Sequence, residues 1–484
     1  MRDSMTSTDL LSILPIITLV AWASILLLVD AFNRKNKWLT PLLAAVGFAV
    51  ALGLSINQTT ASYTGFNNMV AVDGFSAYLN VLFAFSGLAA IALAYDYNKR
   101  MNLARGEYYI LLMFSVSGMM LMAAATDLIV VFLALELLSI PLYILAGFAR
   151  PKLDSEEAAL KYFLLGAFAG GFVVYGVALA FGATGSTALI DIVAAINAGT
   201  ADMTLLLFGA ALILVGFGFK VAAVPFQMWT PDVYQGSPTA VTAFMAVGAK
   251  AAGFAALLRL FVAALPTLYD DLFPIMWMLA ALTMIFGNLV AISQSNIKRM
   301  LAYSSIAHAG YIFMALVTFG QSAIAPDAVA AALFYLVSYA VTNFGAWAVV
   351  IALEKAEGKG LELDDYAGLG SKYPALAAAM LVFMLSFTGV PPTLGFMGKF
   401  YLFRAVINGG FYWLSIVGVL TSLISAYYYL RVLVIMYMRE GEPSVESSNL
   451  LNLTTGLTAI ATVVLSIVSV PLFRWASQAV LQLF

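Results

Sequence analysis

Apolar stretches of about 20 residues recur some 14 times along this chain, separated by short polar joints. A helix needs about 20 apolar residues to cross roughly 30 Å of hydrocarbon. The spacing predicts spans near 10–32, 38–56, 74–95, 108–124, 126–148, 158–183, 203–225, 238–264, 272–294, 300–319, 329–353, 375–404, 411–436 and 451–473. The least distinct joint is Ala125-Thr126-Asp127, which interrupts one apolar run over 108–148; a run of about 40 residues crosses twice, so it is divided there. The first run, Leu10 to Phe32, has the length of a full span and lacks a small-residue cleavage site, so it reads as the first membrane helix and not as a signal peptide. Composition agrees. Of the 484 residues 63% are hydrophobic and 10% are charged, more apolar surface than a soluble interior of this length hides.

Charge tests the count, because basic residues gather on the cytoplasmic side of a membrane. Lys and Arg occupy every second joint: Arg34, Lys35 and Lys37 after span one, Lys99, Arg100 and Arg105 after span three, Arg150 and Lys152 after span five. The same alternation continues with Lys298 and Arg299 after span nine, Lys355, Lys359 and Lys372 after span eleven, and Arg439 after span thirteen. The intervening joints at 57–73, 184–202, 265–271, 320–328 and 405–410 contain neither residue. Joint 226–237, expected on the basic side, carries no base. Both termini are therefore expected on the non-cytoplasmic side.

The same composition excludes several kinds of chemistry. There is no cysteine and one histidine, His308, so disulfides, thiolate catalysis, Fe–S ligation and a histidine-rich metal site are out of reach. A net charge of −2 offers no basic face to nucleic acid. No nucleotide-binding loop or dinucleotide fingerprint is present; the glycines from Gly166 to Gly176 read as close helix packing. If the protein takes part in redox chemistry, another subunit holds the cofactors.

Charges inside the hydrocarbon carry the functional signal, since each costs roughly 2.5–3.5 kcal/mol to insert. Glu136 is the acidic residue placed deep within a span, and Lys220, Lys250 and Lys399 sit well inside theirs. Desolvation favours the neutral form of a lysine, which lets such a group gain and lose a proton in turn. Each of these four also has a plainer reading, as a hydrogen-bonding or packing residue. Lys161 lies near the cytoplasmic end of span six, early in the span, where it relays or snorkels. Arg259 and Arg404 read as anchors or ion-pair partners and Arg431 as an interfacial anchor, while His308, among Ser304, Ser305, Tyr303 and Tyr311, suits a relay.

Two spans carry breaks. Span seven runs through Gly216, Gly218, Lys220 and Pro225, and span twelve through Gly389, Pro391, Pro392, Gly395 and Lys399. Proline removes a backbone donor, and the freed groups are tolerated at membrane depth where protein or a wet cavity meets them. The breaks are five spans apart, an odd offset that inverts the second unit relative to the membrane. The predicted fold is an all-α integral membrane protein of about 14 transmembrane helices: an N-terminal part, 1–107; two inverted five-helix repeats, 108–264 (spans 4–8) and 272–436 (spans 9–13); and a C-terminal part, 437–484.

The chain resembles the antiporter-like membrane subunits of respiratory complex I and of multisubunit cation/proton antiporters, from Val72-Asp73-Gly74-Phe75-Ser76 to span thirteen. Four motifs carry this: Lys220-Val-Ala-Ala-Val-Pro-Phe226, Trp229-Thr-Pro-Asp-Val-Tyr-Gln-Gly-Ser-Pro238, Asn296-Ile-Lys-Arg-Met-Leu-Ala-Tyr-Ser-Ser305 and Gly395-Phe-Met-Gly-Lys-Phe400. Thr-Pro-Asp-Val-Tyr and Lys399 look like the subunit N branch of NADH-quinone oxidoreductase, a branch with a cyanobacterial and chloroplast version. The resemblance implies proton translocation along the bilayer midplane, driven by quinone reduction elsewhere. Glu136 would pair with Lys220, Lys250 would be the central relay, His308 would lead on from it, Lys399 would be the terminal group, and Lys161 would match a lysine found early in span six.

Gln227 departs from the pattern, standing where many relatives carry histidine, so a proton role there is lost or passes to water or Tyr234. The resemblance further implies no cofactor in this chain, with FMN, Fe–S clusters and quinone in partner subunits. It implies as partners a neighbouring antiporter-like subunit, small membrane subunits and lipid, with no nucleic acid. The location implied is a bacterial plasma membrane, or a thylakoid membrane for a cyanobacterial chain. Two rivals remain: a Na⁺ or K⁺/proton antiporter subunit without electron transfer, and a scaffold whose charges only lock helices together.

Overall fold

The computed structural model describes residues 6–32, 38–356, 358–446, 448–479 and 481. Arg34, Lys35 and Lys37 lie outside the described residues. The chain opens with a short helix α1 (Ser7–Ser12) and two long ones, α2 (Leu14–Phe32) and α3 (Leu39–Asn57). A small antiparallel hairpin, β1 (Tyr63–Gly65) and β2 (Val70–Val72), interrupts an otherwise helical chain before α4 (Gly74–Arg100). Its turn places Phe66, Asn67 and Asn68 at positive φ.

Next come α5 (Glu107–Ala124), α6 (Leu128–Ala146), α7 (Leu153–Thr184), α8 (Leu189–Asn197) and α9 (Met203–Val221). The division of the long apolar run is made by Asp127. Its carboxylate accepts from the N–H groups of Ile129 and Val130, satisfying donors that a helix start leaves free, and from Thr187 Oγ1 at 2.8 Å. Close packing of α7 on α9 follows from small residues: a Cβ on Gly176 would stand 2.6 Å from the carbonyl oxygen of Gly209, and one on Gly209 would stand 2.9 Å from that of Gly176.

The span-seven break falls after Lys220. Helix α9 stops at Val221, with Ala222 left-handed at φ 64°, and the chain restarts as α10 (Trp229–Gly236). Joint 226–237 is thus largely a helix and not a loop, because Trp229, Thr230, Val233 and Tyr234 have apolar and aromatic surface to bury. Helix α11 (Thr239–Phe244) runs through a π-helical turn, Met245–Ala249, into α12 (Lys250–Leu257) and a second π-helical stretch, Leu258–Ala264.

The remainder comprises α13 (Tyr269–Ile292), α14 (Ile297–Leu316), α15 (Ala325–Leu353), the short α16 (Leu369–Lys372), the broken pair α17 (Pro374–Thr388) and α18 (Leu394–Asn408), α19 (Tyr412–Met438), α20 (Asn449–Ile467) and α21 (Ser469–Gln478). Twelve helical runs among the described residues are long and apolar enough to cross a membrane. The other two predicted spans correspond to α14, which carries Lys298, Arg299 and His308, and to the pair α17 and α18, each 15 residues long.

The run Thr239–Ala264 is wholly enclosed and α15 nearly so, whereas α2 and α20 are buried over only a minority of their length. Leu28, Phe168 and Leu423 project outward at 60%, 69% and 71% exposure, as lipid-facing side chains do. The innermost helices therefore carry Lys250 and Arg259, and the outer ones shield them.

Candidate functional site

Lys220 occupies the last turn of α9, directly before the break, and is buried. Its ammonium donates to Ser139 Oγ on α6 at 2.7 Å and to Tyr162 OH on α7 at 3.2 Å. Tyr162 stacks on Trp229 of α10, with centroids 4.6 Å apart and planes 7° apart, and meets Tyr143 edge-on at 4.8 Å. The second half of the broken span thus supplies the wall of the lysine's pocket.

The expected ion pair between Glu136 and Lys220 is not formed: among the described residues no carboxylate lies in salt-bridge contact with this ammonium. Glu136 is half-buried one helical turn before Ser139, with its Oε1 lying over Gly170 of α7, where a Cβ would stand 3.2 Å away. The hydroxyl groups of Ser139 and Tyr162 take up the ammonium.

Lys250 follows the π-helical turn. Its ammonium donates to the carbonyl oxygen of Ser305 at 2.5 Å and to Ser305 Oγ at 2.6 Å. The adjacent Ser304 Oγ bonds Tyr429 OH of α19, and Tyr429 OH lies 3.1 Å from His308 Nε2. His308 Nδ1 in turn lies 2.6 Å from Tyr335 OH of α15. Four helices therefore meet in one buried polar line: Lys250, Ser305, Ser304, Tyr429, His308 and Tyr335.

Lys399 sits at the second break for a readable reason. Helix α17 ends at Thr388, so its last carbonyls have no helical donor. The Lys399 ammonium, from the second turn of α18, donates to the carbonyl oxygens of Phe387 and Thr388 at 3.0 and 2.9 Å, and to Ser422 Oγ at 2.7 Å. It also lies 4.7 Å from the ring centroid of Tyr311, which follows His308 by one turn of α14. Lysine and break satisfy one another.

Lys161 is elsewhere. Its side chain is 40% exposed and forms ion pairs of 2.7 Å with both Glu157 and Asp232, while Arg299 holds the other oxygen of Asp232 at 2.8 Å. Partial burial acts to raise the Asp232 carboxyl, but hydrogen bonds and charge from Lys161 and Arg299 outweigh it and hold the group below the usual carboxylate range. The structure does not bring Lys161 into the buried line.

Arg431, read as an interfacial anchor, donates to the carbonyl oxygens of Ile292 and Gln294 at 2.9 and 2.8 Å, closing the end of α13. Arg404 lies over the rings of Tyr401 and Phe473. Arg259 forms a buried two-pronged ion pair with Asp73 at 2.9 and 3.0 Å and donates to the carbonyl oxygen of Ala123.

A family model for the membrane part of NADH:quinone oxidoreductase and the Mrp antiporter matches residues 125–425. The chain is 48% identical over 492 residues to NADH-quinone oxidoreductase subunit N of Chloroflexus aggregans, covering 99% of both. The chain belongs to the NADH:quinone oxidoreductase/Mrp antiporter family. Subunit N of Trichlorobacter lovleyi is 45% identical, with 97% of this chain and 96% of that protein covered. Among solved structures, a chain of respiratory complex I from Thermus thermophilus is 35% identical with TM-score 0.82, covering 96% of this chain and 99% of that one. A chain of the Mrp complex from Dietzia shares the fold at TM-score 0.83 with 19% identity, covering 98% of this chain and 97% of that one.

Within this family member, sequence reasoning placed Ser304 and Ser305 beside His308 but missed the other hydroxyl partners. Ser139, Tyr162, Ser422, Tyr335 and Tyr429 are ordinary helix residues in sequence and become notable only by what they touch. Three further acids, Asp73, Asp127 and Glu354, are buried at the ends of helices and not within a span. Asp127, capping α6 beside an interrupted apolar run, was the one with a legible signal. Gln227 is buried, and its Oε1 lacks a hydrogen-bond partner among the described residues. No group of three or more His, Cys, Asp or Glu among the described residues is arranged to hold a metal ion.

Proposed function

We propose that this chain moves protons across the membrane as the subunit N-type component of an NADH-quinone oxidoreductase, through the line from Lys220 and Lys250 by way of His308 to Lys399. The observation that carries the reading is the buried chain of groups from Lys250 through Ser305, Ser304 and Tyr429 to His308. Every member can donate or accept a proton, and each sits where a charge or unpaired hydroxyl is expensive.

Lys220, Lys250 and Lys399 each rest on hydroxyl or carbonyl oxygens, with no carboxylate in contact among the described residues. A tight buried ion pair would hold the ammonium charged, while neutral acceptors leave its proton free to pass on. Glu136, one turn from Ser139, biases Lys220 through charge at a distance. Movement of one charge against 100 mV takes about 2.3 kcal/mol, so a change in one such contact gates the step. Lys161, with Asp232 and Arg299, forms a polar cluster at the membrane edge and takes the part of a surface collector.

The division into inverted repeats, 108–264 and 272–436, is supported by the matched breaks, each with a lysine beside it. The Lys- and Arg-bearing joints support an arrangement with both termini non-cytoplasmic, in a bacterial plasma membrane or a thylakoid. With no cysteine and one histidine, the chain is the non-redox part of the enzyme. FMN, Fe–S clusters and quinone belong to partner subunits.

The test uses the assembled complex in vesicles, measuring protons pumped per electron. Lys220→Ala and Lys250→Met should lose pumping while the complex still assembles. Full pumping by an assembled Lys250→Met variant would overturn the relay. Purification without flavin- or Fe–S-bearing subunits would turn the reading to Na⁺- or K⁺-driven proton exchange.

A further inference from the structure

An open cavity of about 430 Å³ descends from the Lys- and Arg-bearing face, at the end of α4, the loop after α6 and the turn joining α10 to α11. Tyr97, Lys152, Ser237 and Glu354 are among its lining residues. Lys152 is exposed at the mouth, whereas Glu354 and Ser237 are 3% and 1% exposed and form the floor.

The floor is short of protein partners. Among the described residues Glu354 Oε2, Ser237 Oγ and Thr239 Oγ1 are enclosed without a hydrogen bond. The other carboxylate oxygen, Glu354 Oε1, accepts from Tyr97 OH at 3.4 Å, and Tyr97 OH accepts from the Thr239 N–H at 3.1 Å. A buried carboxylate oxygen without a partner is expensive, and a water with two to four polar neighbours relieves it. Beyond Ser237 lies the buried Lys298, whose ammonium donates to the Ser237 carbonyl oxygen at 2.7 Å.

Lys298 and Ser305 lie on one face of α14, seven residues and about 10.5 Å apart along the axis. Ser305 is the residue that holds Lys250. A buried acid, two unpartnered hydroxyls and a buried lysine thus lie between an open cavity and the Lys250 part of the relay. None of them takes part in the relay already described.

We propose that this cavity is the uptake mouth of the relay, with Glu354 as the group that receives protons from the aqueous face. The proposal rests on the relay reading above. A proton arriving through cavity water adds to Glu354 Oε2, leaves from the same carboxyl to water held by Ser237 Oγ and Thr239 Oγ1, and continues along α14 to Ser305 and Lys250. Tyr97 and Lys298 are positioning residues: Tyr97 orients the carboxyl, and Lys298 fixes the floor through the Ser237 carbonyl oxygen.

The experiment uses the intact complex in inside-out membrane vesicles. Glu354→Gln should lower protons pumped per electron, and Glu354→Asp should retain them, a rescue that a packing role would not give. Tyr97→Phe, which keeps the ring, should slow uptake in the same direction and serves as a second variant. Because the chain has no cysteine, a thiol placed in it reports alone on this subunit. Methanethiosulfonate ethylsulfonate added outside the vesicles should label Glu354→Cys and leave the enclosed control Ser115→Cys untouched. Unchanged pumping in Glu354→Gln, or no labelling at position 354, would overturn the uptake mouth. Loss of pumping in Lys250→Met beside unchanged Glu354→Gln would overturn it while sparing the relay, and full pumping in Lys250→Met would bring down both.

Discussion

Lys220 donates to Ser139 at 2.7 Å, and this bond stands where the family resemblance implies an ion pair to Glu136. Serine and glutamate are one turn apart on α6, so the same helix face offers the ammonium a neutral contact and a charged neighbour. Removing the serine hydroxyl should shift the lysine toward Tyr162 and the carboxylate. We expect Ser139→Ala to assemble normally and to slow pumping, because Lys220 is then held charged, while Glu136→Gln lowers pumping by removing the bias. Measurement of protons pumped per electron in both variants and in the double variant checks this; additive effects would mean that the two groups do not act on one lysine.

The link from Lys250 to His308 passes through one phenol. Tyr429→Phe keeps the ring that stacks on Phe387 at 5.6 Å and removes only the hydroxyl joining Ser304 to His308. Pumping should fall well below that of the unmodified complex, with assembly and quinone reduction by the partner subunits retained at first turnover. An unaffected pumping rate would place the route elsewhere.

Arg259 and Asp73 are 1% and 0% exposed in their side chains and join the start of α4 to the π-helical end of the innermost helical run. Truncating one partner of a buried pair typically costs about 3–5 kcal/mol, since it strands the other charge. Arg259→Ala should therefore reduce the amount of assembled complex, and Arg259→Lys should recover little, because an ammonium cannot match both carboxylate oxygens. Quantifying assembled complex on native gels tests both.

The Asp232 cluster supplies a pH dependence whose sign is fixed. Its carboxyl lies below its ordinary value of 3.8, so its contribution is complete above that value and is lost only as pH falls through the lower, folded value. Its attraction for Lys161 and Arg299 is accordingly constant from neutral to mildly acidic pH. The cluster is partly exposed, so Asp232→Asn should change stability by about 1 kcal/mol or less. Thermal unfolding at pH 5 and pH 8 should show the same small difference between the two proteins, and a difference that grew between those values would contradict the assignment.

Much of the architecture is legible in the sequence because lipid enforces it. A run of about 20 apolar residues has one economical conformation in hydrocarbon, and Asp127 and Gly389 mark where helices start and stop. The breaks in spans seven and twelve are visible as Gly and Pro beside lysine, and the structure adds the reason for Lys399: the carbonyl oxygens left open at Phe387 and Thr388. Joint 226–237 reads as a loop because eight residues with one apolar face fall short of a span, yet Trp229 and Tyr234 fold them into a helix against α7 and α14. Glu354 reads as the start of a polar connector, since nothing in its neighbours tells that Tyr97, more than 250 positions away, covers it.

By itself the sequence determined which segments are apolar and long enough to cross a membrane, which charges fall within them, and the family, since these depend on local composition and on motifs contiguous in the chain. The tertiary structure decided what each charge touches: Ser139 and Tyr162 for Lys220, Ser305 for Lys250, Asp73 for Arg259. The physical reason is range. Insertion into hydrocarbon is summed over one helix, whereas a hydrogen bond is made or lost within about 3.5 Å, and residues on different helices come that close only once the whole bundle has packed.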